Sequence, residues 1–138
     1  MVIDVKDLEF RWRPDAPAVL SIDVLQVASG DCLFIKGPSG SGKSTLLSLL
    51  SGVTTAVAGS VRVMGQELER LGGVQRDHFR ADHIGYIFQM FNLIPYLSVV
   101  DNVMLPCRFS ARRRANALER GKDLEAEARR LLQHLDMD

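Results

Sequence analysis

Cysteine is scarce in this chain of 138 residues. Cys32 and Cys107 stand far apart and outside any Cys-x-x-Cys spacing, which excludes a disulfide framework and gives no sign of thiolate metal or redox chemistry. Charge of one sign is missing as well: 17 basic residues balance 17 acidic ones, so no overall field draws the chain toward nucleic acid or an anionic membrane. No apolar run approaches the roughly 18 to 20 residues that cross a bilayer. The start, Met1-Val2-Ile3-Asp4-Val5-Lys6-Asp7, has an acid where a secretory signal carries bases and a long apolar stretch, and a cytosolic protein is expected. Repeats and low-complexity tracts are absent. What is present, 46% apolar and 25% charged residues, is the make-up of a globular chain of about one domain. At this length it buries about two-thirds of the surface exposed on unfolding, so one core is feasible without staples.

Periodicity divides the chain. Val2 to Phe10 and Ser21 to Val27 alternate apolar and polar side chains and predict strands, separated by the breakers Pro14 and Pro17. Cys32-Leu33-Phe34-Ile35 is apolar at successive positions, which predicts a strand buried on both faces, as in a parallel sheet. Ser44 to Ser51 predicts a Leu-rich helix ending near Gly52. Ser60 to Met64 and Ile84 to Phe88 predict short strands on either side of a polar helical stretch around Gln75 to Asp82. Ser98 is placed to cap a helix running to Leu105. From Ser110 to Met137 the chain predicts amphipathic helix jointed at Gly121, with Leu124, Ala128, Leu131, Leu132 and Leu135 on one face and a Glu125/Arg129 surface pair. The run Arg112-Arg113-Arg114 has no interleaved aromatics and acids follow closely, so it reads as a solvated helix face. His78, His83 and His134 show no metal-pair spacing and read as surface residues.

Directly after the apolar segment stands Gly37-Pro38-Ser39-Gly40-Ser41-Gly42-Lys43-Ser44-Thr45, which fits G-x-x-x-x-G-K-[S/T]. A polyphosphate needs several backbone N–H groups converging on it, and glycine allows the left-handed turns and the close approach that aim them inward. The helix that follows adds its unpaired N-terminal donors and positive dipole end. Lys43 is placed to bridge the β- and γ-phosphates, and the Ser44 hydroxyl to ligate Mg²⁺.

With that P-loop, Leu46-Leu47 after it, Gly59-Ser60-Val61-Arg62-Val63-Met64-Gly65, Ile84-Gly85-Tyr86-Ile87-Phe88-Gln89, Asn92-Leu93-Ile94-Pro95 and Asp101-Asn102-Val103-Met104-Leu105-Pro106, the chain resembles the ATP-binding subunit of an ABC transporter. The wording around Gln89 is most similar to the lipoprotein-releasing, macrolide-efflux and antimicrobial-peptide exporter group. The resemblance implies an α/β fold of the P-loop NTPase class, an ABC-type nucleotide-binding domain: residues 1–90 would be the β subdomain and P-loop core, and residues 91–138 the start of a helical subdomain. It implies ATP and Mg²⁺ as ligands. Gln89 matches the Q-loop glutamine that reaches Mg²⁺ and the attacking water, a task for which an amide supplies both donors and an acceptor. Trp12 lies where the family keeps an adenine-stacking aromatic, more often Tyr; its plain alternative is an ordinary strand aromatic. Lys36 departs from the small or apolar residue usual before the first P-loop glycine, and its ammonium is expected to reach water.

Three family elements have no match in these residues: the Leu-Ser-Gly-Gly-Gln signature, the Walker B strand ending in Asp-Glu, and the switch His. Leu71-Gly72-Gly73-Val74-Gln75 lacks the signature's Ser and precedes Gln89, and Asp101 is followed by Asn102 in place of Glu. The chain therefore resembles the first part of a longer ATPase, truncated within the helical subdomain. It is expected to bind Mg-ATP weakly, to turn it over negligibly alone, and to leave apolar sheet surface uncovered. For the whole protein the resemblance implies ATP binding and hydrolysis coupled to export or extraction of a substrate. The implied partners are an integral membrane permease and a second, head-to-tail copy of the subunit, at the cytoplasmic face of the cell membrane and without nucleic acid. The other readings are a non-catalytic nucleotide-binding fragment and a soluble P-loop kinase or nucleotide switch; for the latter no acceptor site or switch loop is visible.

Overall fold

The computed structural model describes residues 1–90 and 92–137. Contacts group the chain into two compact units, Met1–Asp77 and the residues from His78 on. The expected opening of the helical region at position 91 lies outside the described residues, as does Asp138 at its close.

The first unit is built on one antiparallel sheet, in the order β2-β1-β3-β4. Its strands are β1 (Ile3–Phe10), β2 (Leu20–Val27), β3 (Ala58–Val63) and the two-residue β4 (Gln66–Glu67). β1 is central, pairing Val5 with Leu25 on one side and with Val61 on the other. Its buried residues are Val5, Leu8 and Phe10, so the inward parity switches between positions 5 and 8. A β-bulge accounts for the switch: the register with β3 shifts between Lys6 and Glu9, and Asp7 adopts a left-handed conformation at φ 49°. Gly59, at φ 85°, lies opposite the bulge, where a Cβ would stand 2.2 Å from the Asp7 carbonyl oxygen. β3 and β4 are joined by Met64 and Gly65, both left-handed, which suits the two-residue turn that matches strand twist. Beyond that short pairing, the Val61 N–H donates to the Glu69 carboxylate at 2.9 Å, in the 3-10 turn Leu68–Arg70.

Helix α1 (Lys43–Leu50) lies against β3 and buries Thr45, Leu46 and Leu49. Each such leucine contributes about 1.5 to 3 kcal/mol by leaving water. Leu68, at 2% exposed, completes this core with Val27, Val61 and Val63.

Two expected strands are absent. Residues 32–35 and 84–88 carry no strand, and Phe34 and Ile87 are 87% and 96% exposed. A strand buried on both faces needs a neighbour at each edge to take its N–H and C=O groups. Among the described residues the sheet is wholly antiparallel, and neither of its edges takes these segments. The apolar composition marks surface suited to burial, and that surface is uncovered.

Helix α2 (Gly73–His83) runs from the first unit into the second. Its start disposes of the signature-like Leu71–Gln75: the Gln75 side chain accepts from the Gly72 N–H at 2.9 Å, so these residues serve as a helix entry. The second unit holds α3 (Val99–Met104), α4 (Pro106–Phe109), α5 (Ala111–Arg120) and α6 (Leu124–His134). Their caps are side-chain oxygens accepting from backbone N–H groups: Ser98 from Asp101, Ser110 from Arg113, and Asp123 from Ala126. Asn102 fastens the turn before α3, its amide donating to the carbonyls of Ile94, Leu97 and Ser98 while its oxygen accepts from the Ile94 N–H. Gly121 separates α5 from α6, as expected, and the Glu125/Arg129 pair forms at 2.8 Å.

The buried face of α6 differs from the expected one. Leu131 and Leu135 are exposed, whereas Glu127, Ala128 and Leu132 face inward. Glu127 tolerates this place because both carboxylate oxygens accept from Arg130, at 2.7 and 2.8 Å. The Arg130 hydrogen bonds hold the Glu127 carboxyl below the ordinary glutamate range, against the opposing effect of burial.

Two outcomes are expected. Gly59→Ala combines a left-handed alanine, costing about 1 to 2 kcal/mol, with a clash against the backbone of the bulge, and should destabilise the first unit by more than about 2 kcal/mol in urea unfolding. A carboxyl whose folded pKa is depressed contributes stability above its ordinary range and loses it as the pH falls through the folded value. Urea midpoints followed from about pH 6 to about pH 3 should therefore fall less steeply in Glu127→Gln than in the parent, as the linkage for a single carboxylate requires.

Candidate functional site

The P-loop expected from sequence occupies the turn that leads into α1. Gly40 and Gly42 have φ of 80° and 86°, and Gly42 is the N-cap of the helix. These left-handed glycines reverse the chain so that Ser41 N–H donates to the Pro38 carbonyl at 3.3 Å and Lys43 opens the helix. Space is tight at two of the glycines. A Cβ on Gly37 would stand 2.6 Å from Ser41 Oγ, and one on Gly42 would stand 2.7 Å from Leu20 Cδ2 and 3.2 Å from the Val19 carbonyl. The loop thus rests directly on the start of β2.

Lys43 bends back over this loop. Its Nζ donates to the Gly37 carbonyl at 2.8 Å and the Pro38 carbonyl at 2.7 Å, with Ser41 Oγ at 3.4 Å. The ammonium is held at the loop by neutral acceptors, and an anionic oxygen there would make a stronger, charge-assisted bond with it. Ser39 and Ser44 are exposed, whereas the Thr45 side chain faces the core. A cavity of about 260 Å³ lies beside the loop, lined by Leu20, Ile35, Gly37, Ser41, Lys43 and Leu46 among others.

Trp12 belongs to the same unit, two residues past the end of β1. Its ring meets Phe10 edge-on, centroids 4.9 Å apart and planes at 87°, and it is 64% exposed, so a wide face is open to water. Phe10 pairs with Leu20, the residue beneath Gly42, and Val19 N–H donates to the Phe10 carbonyl at 2.8 Å. Trp12 is thereby tied to the floor of the P-loop through two residues that sequence reading missed as site elements. Val19 and Leu20 looked like ordinary strand residues, and only the Gly42 contact gives them a part.

Gln89 lies in the second unit, exposed on the irregular segment after α2. Lys36 is exposed, as expected. Among the described residues no three His, Cys, Asp or Glu side chains cluster as metal ligands. The side-chain oxygens exposed on the loop are the hydroxyls of Ser39, Ser41 and Ser44, a set that fits a Mg²⁺ ion held chiefly by phosphate oxygens and water, the ion's usual manner.

A family description, ABC transporter, matches residues 21–138. The chain belongs to the ABC transporter ATP-binding family. It is 37% identical over 124 residues to an uncharacterized ABC transporter ATP-binding protein of Mycobacterium bovis, covering 88% of this chain and 38% of that protein. It is 36% identical over 118 residues to the lipoprotein-releasing system ATP-binding protein LolD of Chromohalobacter salexigens, covering 86% and 50%. It is 39% identical over 123 residues to the macrolide export ATP-binding/permease protein MacB of Chromobacterium violaceum, covering 81% and 19%. The chain thus spans half or less of the length of these relatives. Among solved structures, the dimeric structure of a bacterial ABC transporter cassette superimposes with a TM-score of 0.70 at 33% identity, over 78% of this chain and 47% of that one. A dimeric post-hydrolysis state of an ATP-binding cassette bound to ADP and Pi does so with the same score at 32% identity. These likenesses support the α/β nucleotide-binding fold and the exporter group inferred from the P-loop and the wording around Gln89.

The geometry of Gly42 sets a test. Gly42→Ala in this ABC family chain should lower the affinity of the loop for inorganic tripolyphosphate about tenfold, while unfolding stability falls by at least about 1 to 2 kcal/mol, the cost of one left-handed alanine, because the new Cβ also presses on Leu20 and the Val19 carbonyl. Calorimetric titration and urea unfolding check the two halves separately.

Proposed function

We propose that this chain carries the phosphate-gripping half of an ABC transporter ATP-binding subunit, which in the whole protein couples binding and hydrolysis of Mg-ATP to movement of a substrate through a membrane permease. The observation that carries the reading is the Lys43 ammonium bent over a loop with two left-handed glycines at a helix N-terminus. Backbone N–H groups of Gly37 and of residues 39–45, with the positive end of α1, would bind the phosphate chain, with Lys43 exchanging its carbonyl partners for the β- and γ-phosphate oxygens. Ser39, Gly40, Ser41 and Thr45 belong to that grip by position. By its place in the motif the Ser44 hydroxyl would ligate Mg²⁺, and Gln89, by its match to the Q-loop glutamine, would serve the metal and orient the attacking water. Trp12 would stack on adenine with its open face, an interaction worth about 1 to 3 kcal/mol on comparable platforms.

Hydrolysis needs further charge stabilisation about the γ-phosphate. The signature, the Walker B acids and the switch His, which supply it in the family, have no match in these residues, so turnover by the chain alone is expected to be negligible. A second copy, joined head to tail, and an integral permease would complete the machine; no described helix is long and apolar enough to cross a membrane itself. The dimeric cassettes among its structural relatives, and the lipoprotein-releasing and macrolide export proteins among its sequence relatives, support that assembly. Attachment to the inner face of the cell membrane would follow from docking to the permease.

The decisive experiment is a fluorescence titration of Trp12, the sole tryptophan. Mg-ATP should quench it saturably, and Lys43→Ala should weaken the apparent affinity at least about tenfold, equivalent to about 1.4 kcal/mol. A folded chain whose fluorescence and calorimetric heat both ignore millimolar Mg-ATP would overturn the reading.

A further inference from the structure

The last turn of α2 is bound residue by residue to the first turn of α5. Ser110, 1% exposed, donates its hydroxyl to the Asp82 carboxylate at 2.5 Å while accepting from the Arg113 N–H at 3.0 Å. The Arg113 guanidinium donates through Nε to the Ala81 carbonyl and through Nη2 to the Ile84 carbonyl at 2.9 Å. Arg112 Nη1 meets His83 Nδ1 at 2.9 Å, and the His83 ring lies on Phe79 with centroids 4.9 Å apart. Residues 81 to 84 are thus each held by Ser110, Arg112 or Arg113.

Two physical facts give this cluster a use. The terminal carbonyls of a helix lack intrahelical partners and carry the negative end of its dipole, so a two-pronged cation is an apt partner for them. Ile84 is also the root of the segment that ends at Gln89. Five residues extend at most about 17 Å, so wherever Ile84 is pinned, the reach of Gln89 is bounded.

We propose that Arg113, seated by Ser110, is a positioning residue: its fork clamps the Ala81 and Ile84 carbonyls, and with them the root of the Gln89 segment, to the start of α5. The clamp itself stands on the geometry of the second unit, and its consequence for Gln89 rests on the nucleotide-binding reading above. The triple-arginine run accordingly divides its labour, with Arg113 turned in to backbone carbonyls and Arg114 left in water.

The test uses the 138-residue chain and its Arg113→Ala, Arg113→Lys and Ser110→Ala variants. Without nucleotide, amide hydrogen exchange at residues 81–84 should rise about tenfold or more in Arg113→Ala, while β1 and α6 keep their protection; Lys, which lacks the fork, should fall between, and Ser110→Ala should raise exchange at the same residues. Exchange unchanged at 81–84, or raised equally throughout the chain, overturns the clamp. The consequence for Gln89 is read in the ratio of ATP affinity with Mg²⁺ to that with chelator. Gln89→Ala and Arg113→Ala should each reduce this ratio several-fold and together reduce it no further, whereas affinity without metal stays unchanged. Additive losses, or equal losses with and without Mg²⁺, overturn the positioning role. If the parent chain ignores ATP altogether, the nucleotide reading falls and the consequence for Gln89 with it, while the exchange comparison still judges the clamp.

Discussion

The close approach of the Gly42 backbone to β2 is the constraint on which the candidate site depends. A Cβ on Gly42 would press on Leu20 Cδ2 and the Val19 carbonyl, and its absence lets the chain leave the loop and enter α1 directly above the sheet. That entry places Lys43 in the first turn of the helix, from which its ammonium reaches back to the Gly37 and Pro38 carbonyls. The same contact ties the loop to Phe10 and hence to Trp12, through the pairing of Phe10 with Leu20. A glycine, a leucine and a strand register therefore bring the P-loop and an open aromatic face into one unit.

The sheet below has its own fixed point at the bulge of β1. Asp7 in a left-handed conformation turns Leu8 and Phe10 inward after Val5, and Gly59 leaves room for the Asp7 carbonyl. Were the strand regular, Leu8 and Phe10 would share the face opposite Val5, and the core under α1 would lose two of its largest members. In the second unit, order comes from polar caps more than from apolar burial: Ser98, Ser110 and Asp123 start the helices, and Asn102 and Arg113 close the turns between them.

Much of the fold was legible where local chemistry decides structure. The alternation of β1 and β2, the Leu-rich helix after the P-loop, the cap at Ser98 and the joint at Gly121 all appear where the sequence placed them. The segments at 32–35 and 84–88 were misread as strands because apolar runs report a capacity for burial, while a strand also needs a neighbouring backbone to pair with. The face of α6 was misread because helical spacing ranks leucines by hydrophobicity and is blind to Arg130, whose two hydrogen bonds let Glu127 turn inward in place of Leu131.

Residue types and spacing alone determined that this chain bears a P-loop closed by Lys43, Ser44 and Thr45, because that motif is written in one short contiguous stretch, and the wording of the chain resembles ABC transporter ATP-binding subunits. Only the tertiary structure decided that Val19 and Leu20 support that stretch, that Trp12 keeps a face open, and that Arg113 grips the end of α2. Those depend on atoms brought together from distant positions, and distance in sequence carries no record of which backbone carbonyl a side chain will meet.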